Sequence, residues 1–249
     1  MKKLMFAMGL AALCASVQAV ESANIVGYTS QTCEAEKWYL IGCNFEAVSG
    51  SSVSIQDLVK GLTPGSDASS SPTIQYWDGS KLQTICYLDF VWSDDAGDFV
   101  YAWADLSSGE MATFTVDPGF GCWIKLPAAG SFTCSGQVVA ADTTPKSVTT
   151  NWQLMSNPYP IALAVNSAKF DCTELAPGSD ASAAPTIQYW DGSKLQTLCY
   201  LDFVWSDDAG DFVYAWADLS SGEYSPISFP PCTGFWIKGS AAGTISFKK

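Results

Sequence analysis

The stretch Pro64–Glu110, PGSDASSSPTIQYWDGSKLQTICYLDFVWSDDAGDFVYAWADLSSGE, returns 113 residues later as Pro177–Glu223, PGSDASAAPTIQYWDGSKLQTLCYLDFVWSDDAGDFVYAWADLSSGE. Of its 47 positions 44 are identical, the exceptions being Ser70/Ala183, Ser71/Ala184 and Ile85/Leu198. Thr73–Trp77 and Leu82–Trp92 are β-prone runs joined by Asp78-Gly79-Ser80-Lys81, and Asp-Gly between such runs is a strong hairpin signal. Ser93–Asp98 reads as a loop. Phe99–Ala104 alternates large aromatics with small residues, the period of a strand. The repeated unit is therefore β-rich.

The repeat extends outward more loosely. Gly121-Cys122-Trp123-Ile124-Lys125 maps onto Gly234-Phe235-Trp236-Ile237-Lys238 at the same offset. With a one-residue gap, Trp38–Ile41 meets Trp152–Met155, and all ten Trp fall into five matched pairs. Over Met111–Thr133 only eight of 23 positions agree. Recent copying of the central segment and a functional face kept by both copies are competing explanations, which silent positions in the coding DNA would separate. Further strands are expected at Asn24–Thr29, Trp38–Phe45, Met111–Val116, Phe120–Leu126 and Ser131–Ser135. A short helix is expected at Ile55–Leu62, with Ser54 as its N-cap, and its counterpart lies near Val165–Leu175. The fold class is all-β and mostly antiparallel: two tandem domains, 20–136 and 137–249, each a sandwich or barrel with one short helix.

Residues 1–19 have the pattern of a secretory signal peptide: Lys2 and Lys3, an uncharged apolar stretch Leu4–Val17, then Val17-Gln18-Ala19 before the cleavage point. Ala11-Ala12-Leu13 before Cys14 fits a lipobox poorly. No other segment is apolar enough to span a membrane. A secreted or periplasmic protein is the expectation. Without the leader the chain keeps ten Lys against 25 acidic residues, a net charge of −15. With no Arg and no His, it is a poor partner for nucleic acid, which needs clustered positive charge.

Eight cysteines remain after the leader: Cys33, Cys43, Cys86, Cys122, Cys134, Cys172, Cys199 and Cys232. In an exported chain an even count without Cys-x-x-Cys points to disulfides. Copy one holds five and copy two three, so full oxidation requires a bridge between the copies. Two free thiols are the alternative.

The absence of His removes Ser-His-Asp and Cys-His catalysis. Carboxylates recur in pairs, and two about 5–10 Å apart would serve a glycosidase. Asp94, Asp95 and Asp98, repeated as Asp207, Asp208 and Asp211, place three carboxylates in one loop, a donor set that suits calcium, the one cofactor considered. Tyr76, Trp77 and Trp92, with Tyr189, Trp190 and Trp205, flank a polar turn and an acidic loop, which makes them the candidate ligand-binding aromatics. Trp38, Trp123 and their partners sit in apolar strands and are expected in the core.

Trp152-Gln153-Leu154-Met155-Ser156-Asn157-Pro158-Tyr159-Pro160 resembles the GWNLIxNPYP-like opening of small β-domains in secreted and cell-surface proteins of Gram-negative-type bacteria. Tyr-Trp-Asp-Gly (Tyr76–Gly79, Tyr189–Gly192) and the Gly-x-Trp-Ile closing strand (Gly121–Ile124, Gly234–Ile237) are similar to later features of that pattern. Copy one departs from it, with Gly42-Cys43-Asn44-Phe45 in place of Asn-Pro-Tyr-Pro. The resemblance implies export and a β fold, and no reaction. The expected function is an exported, non-enzymatic repeat protein that is surface-structural or ligand-binding, its partner a polysaccharide or cell-surface component. A carboxylate-based carbohydrate hydrolase and a calcium-stabilised envelope or matrix component are the alternatives.

Overall fold

The computed structural model describes residues 26–249; the leader and the start of the first expected strand lie outside them. Copy one contains β1 (Val26–Cys33), β2 (Trp38–Gly42), β3 (Val53–Ser54), α1 (Ile55–Leu58), β4 (Thr73–Trp77), β5 (Leu82–Ser93), β6 (Asp98–Asp105), β7 (Thr115–Val116), β8 (Gly121–Lys125) and β9 (Gly130–Gln137). Copy two contains β10 (Thr143–Val148), β11 (Gln153–Ser156), β12 (Leu163–Ala164), β13 (Phe170–Asp171), β14 (Thr186–Trp190), β15 (Leu195–Ser206), β16 (Asp211–Asp218), β17 (Ser228–Phe229), β18 (Gly234–Lys238) and β19 (Gly243–Lys248).

Each copy builds one five-stranded antiparallel sheet of the same order, β2-β8-β4-β5-β6 and β11-β18-β14-β15-β16. Smaller sheets complete them: β1-β9 and β3-β7 in copy one, β10-β19-β13 and β12-β17 in copy two. The fold is thus all-β, made of several antiparallel sheets. The Asp78 carboxylate closes the first hairpin by accepting from the Ser80 and Lys81 amides at 2.8 and 2.9 Å. Asp191 does the same from Ser193 and Lys194. This is the local bonding that favours Asp in turns.

The helix expectation needs correction. In copy one the helix ends at Leu58, four residues short of Leu62. Copy two carries no α-helix among the described residues; Val165–Leu175 forms turns and the short strand β13. The cause is a shared anchor on side chains of different length. Gln56, on α1, donates to the carbonyls of Trp103 and Ala112 and accepts from the Trp103 amide. Asn166 makes the same three bonds to Trp216 and Ser225 without a helix. The shorter amide meets its partners from a turn, where the longer one reaches them from a helix. Both clamps hold the backbone of a fully buried Trp.

The copies have separate cores that interlock. One gathers Ile41, Phe45, Ile55, Ile74, Ile85, Trp103, Ile124 and Phe132; the other gathers Val148, Tyr159, Ile187, Trp216, Phe229, Phe235, Ile237 and Phe247. Cys232 of copy two belongs to the copy-one core. The contact between copies has an internal pseudo-twofold. The Gly42 amide donates to the Cys232 carbonyl at 3.0 Å, and its counterpart, the Ser156 amide, donates to Gly119 at 2.8 Å. Ile41 pairs with Thr233 and Phe120 with Met155. A Cβ at Gly121 would lie 2.7 Å from the Met155 carbonyl oxygen, and one at Gly234 would lie 2.5 Å from that of Ile41. Glycine at these two positions is what lets the backbones approach.

Candidate functional site

Two clefts related by the pseudo-twofold lie where the copies meet. The first, about 590 Å³, is lined by Lys37, Trp38, Gln75 and Trp123 of copy one and Trp190, Gly192 and Ser193 of copy two. The second, about 570 Å³, is lined by Asn151, Trp152, Gln188 and Trp236 of copy two and Trp77, Gly79 and Ser80 of copy one. Position for position the linings correspond. Each cleft therefore has three Trp: Trp38 and Trp123 from the neighbouring strands β2 and β8, or Trp152 just before β11 and Trp236 on its neighbour β18, and one from the first hairpin of the other copy.

The pairing register explains this convergence. Leu40 faces Trp123 across β2-β8, and Gln75 faces Trp123 across β4-β8, so Trp38, Trp123 and Gln75 sit on adjacent strands. Lys125 Nζ stands 5.8 Å from the Trp38 ring and Lys238 Nζ 5.0 Å from Trp152, cation–π contacts that help fix both indoles. All six cleft tryptophans are half-buried. Trp38, Trp123, Trp152 and Trp236, expected in the core, belong to the cleft walls. Their apolar strands hid this, because a strand at an inter-copy groove reads like a core strand.

The aromatics expected to bind ligand separate into three groups. Trp77 and Trp190 are cleft residues, each serving the other copy's cleft. Tyr76 packs at 4.5 Å on Phe114, and Tyr189, 9% exposed, packs at 5.3 Å on Phe229. Both tyrosines lie on the core side of the sheet, and burial pushes their hydroxyl pKa up. Alternation puts residue i inward when residue i+1 faces the cleft. Trp92 and Trp205 stand at the far hairpins, about half exposed, each indole donating at 2.8 Å to Asp94 or Asp207.

Those hairpins form a second pair of concavities. Trp92, Asp94, Asp95, Ser108, Gly109 and Glu110 line one of about 650 Å³. Trp205, Asp207, Asp208, Gly222 and Glu223 line its counterpart of about 660 Å³. Asp98 and Asp211 stand apart from both linings, each accepting from the amide of the next residue, Phe99 or Phe212, at 2.7 Å. The three loop aspartates thus do not share one cavity: Glu110 joins Asp94 and Asp95, and Glu223 joins Asp207 and Asp208. Among the described residues no three His, Cys, Asp or Glu side chains form a group that could hold a metal ion.

Beside these concavities the outer face of the β5-β6 hairpin carries exposed rings. Phe90 stacks on Phe99 at 3.6 Å, and Trp92 meets Phe99 edge-on at 5.3 Å. Phe203, Trp205 and Phe212 repeat both contacts. Carboxylates with shifted pKa are all shifted downward. Asp67, Asp78, Asp105, Asp180, Asp191 and Asp218 are stabilised by Ser, Gln or backbone donors in turns, and Asp171 is drawn to about 2 chiefly by Lys248. A general acid for glycoside cleavage requires the opposite shift. All eight of these cysteines are buried, and no helix among the described residues is long and apolar enough to cross a membrane. Comparison with family models, curated proteins and solved structures finds no match to this chain.

Proposed function

We propose that this is an exported, non-enzymatic binding protein that holds a glycan in its two inter-copy clefts. One observation carries the reading: each cleft brings three Trp and one Gln together from two copies of the repeat. An indole offers a flat apolar face to the C–H face of a sugar ring, while Gln and Ser supply the few polar contacts that set orientation. The first cleft has Lys37 as its only charged lining residue and the second has none, which favours neutral sugars over the anionic polymers that a strongly acidic chain repels. Two equivalent clefts on one chain add avidity toward a polymer that reaches both.

The test is tryptophan fluorescence of the mature protein against a panel of neutral and acidic polysaccharides, each with calcium and with chelator. Saturable quenching or enhancement by a neutral glycan is expected. Trp77→Ala with Trp190→Ala should weaken binding at least about tenfold, or roughly 1.4 kcal/mol, with an unchanged far-ultraviolet spectrum. Trp92→Ala with Trp205→Ala should leave binding intact. No response to any glycan would instead support a structural surface component, and dependence on calcium would move the site to the acidic hairpins.

A further inference from the structure

We propose that Cys134 of copy one and Cys232 of copy two form a disulfide that ties the copies together. Their Sγ atoms lie 3.4 Å apart, and both residues are buried. An S–S bond is about 2.05 Å, so closure needs a movement of little more than 1 Å. Cys134 is on β9, paired with Thr29 of β1, and Cys232 reaches this ribbon from the turn between β17 and β18.

The backbone of that turn is the second observation. Phe120 donates to Asp117 across Asp117-Pro118-Gly119, and Thr233 donates to Pro230 across Pro230-Pro231-Cys232. Both are turns with Pro at the second position, and their third position needs positive φ. Copy one meets the requirement with Gly119 at φ +91; copy two places Cys232 there at φ +64. A side chain other than Gly, Asn or Asp is rare in this conformation. It persists where the surroundings dictate it, and here the Cys232 carbonyl is held by the Gly42 amide. A cysteine in a glycine's position, its sulfur against another cysteine, is accounted for by a bond between them. The pair has no symmetric twin, since Cys134 corresponds to Phe247 and Cys232 to Gly119. It also takes one cysteine from the five of copy one and one from the three of copy two, leaving even numbers in both.

Cys33, Cys43 and Cys122 share this core with Cys232 and are the competing partners. Burial pushes the Cys33 and Cys43 thiols up to about 11 and raises Cys122, and the contact with Cys232 together with burial raises Cys134 as well, so all four stay protonated and slow to react once folded. Oxidation is therefore a step of folding. With oxidised glutathione as the disulfide donor, the Cys232 thiolate attacks one glutathione sulfur and releases a glutathione thiol. The Cys134 thiolate then displaces the second glutathione from Cys232. In total two protein thiols are oxidised and one glutathione disulfide is reduced to two thiols.

The mature chain refolded with a reduced and oxidised glutathione pair provides the test. Non-reduced proteolysis should yield one cross-linked species joining the Leu126–Lys146 and Leu195–Lys238 segments, and its fragmentation should place the bond on Cys134 and Cys232 and leave Cys199 free. The oxidised protein should melt on the order of 10 °C above the reduced one, because the bond closes a long loop. Cys232→Gly restores the residue found at the equivalent turn and removes the positive-φ strain, so it should fold, with a melting temperature that no longer depends on redox state. Cys232 bonded to Cys33, Cys43 or Cys122, or eight free thiols after oxidative refolding, would overturn the proposal.

Discussion

The two copies share an outward-facing middle and the core residues directly beneath it, such as Ile74 and Ile187 or Trp103 and Trp216, and differ in how the rest of each core is packed. In most repeat pairs the core is the more constrained part and the surface drifts. Here the nearly identical middle holds the exposed rings Phe90, Trp92, Phe99 and Tyr101 and their twins Phe203, Trp205, Phe212 and Tyr214. Around those shared residues the cores are filled differently. Cys122 and Cys134 of copy one stand where copy two has Phe235 and Phe247. Volume moves between neighbours in compensation. Tyr76 rests on Phe114, while Tyr189 rests on Phe229, whose counterpart is Val116. The same outer surface is therefore supported by two distinct packings. Cores tolerate such exchange when total volume is kept.

Swapping core residues between copies should break this equivalence most strongly. Phe235→Cys removes a fully buried ring in contact with Phe170 and Phe229 and should cost about 3 kcal/mol by the cavity it leaves. The reverse change, Cys122→Phe, overfills copy one and should cost about 1–3 kcal/mol. Chemical denaturation of both variants checks this; a neutral result for either would mean that the cores are looser than their burial indicates.

The polar clamps come next. Gln56→Ala and Asn166→Ala each strand the same set of backbone groups around Trp103 or Trp216, and each should lose about 1–3 kcal/mol. Near-equal losses would show that helix α1 adds little beyond carrying Gln56. A much larger loss in copy one would make the helix a structural element in its own right.

The smallest expected difference is electrostatic. Asp171 lies 2.8 Å from Lys248 and is held at about 2, below its usual 3.8. A depressed carboxylate stabilises the fold above its unfolded pKa, and that share is lost as pH falls through the folded value. Copy one has Ser135 in place of Lys248, and its local pair Asp57 and Lys60 is more than half exposed on both sides and should contribute little. Asp171→Asn should thus lower the melting temperature slightly at pH 6, and the gap to the parent should close between about pH 4 and pH 2. A gap that persists at pH 2 would assign the effect to packing.

Much of the strand pattern could be read from the residues. Asp78-Gly79 and Asp191-Gly192 mark their hairpins because Asp bonds its own turn, a cause confined to five or six neighbouring residues. Thr73–Trp77 and the strand around Phe99–Ala104 were equally legible from alternation. The helix in copy two was not. Val165–Leu175 has the length for one, yet Asn166 finds its partners on Trp216 and Ser225, about fifty residues away in sequence. Trp103 shows a related limit. It shares the alternation of Phe99 and Tyr101, but it is 1% exposed while Tyr101 is 69% exposed. Period two states which residues share a face, and the point where a strand passes from solvent into the core depends on what covers it.

The sequence by itself determined the repeat, the β class, the hairpins, the acidic balance and the lack of histidine, since each is a matter of composition or of bonding between near neighbours. It also set the parity of the cysteines. Only the tertiary structure decided that Trp77 serves the cleft of copy two and Trp190 that of copy one, that Tyr76 and Tyr189 turn inward, and that Cys134 faces Cys232. The tyrosines turn toward rings about forty residues away in their own copy, and the cleft and cysteine contacts join surfaces about a hundred residues apart. The contacts between copies follow from the close approach at Gly121 and Gly234 and from the crossed hydrogen bonds of Gly42 and Ser156, which leave no local pattern in either copy.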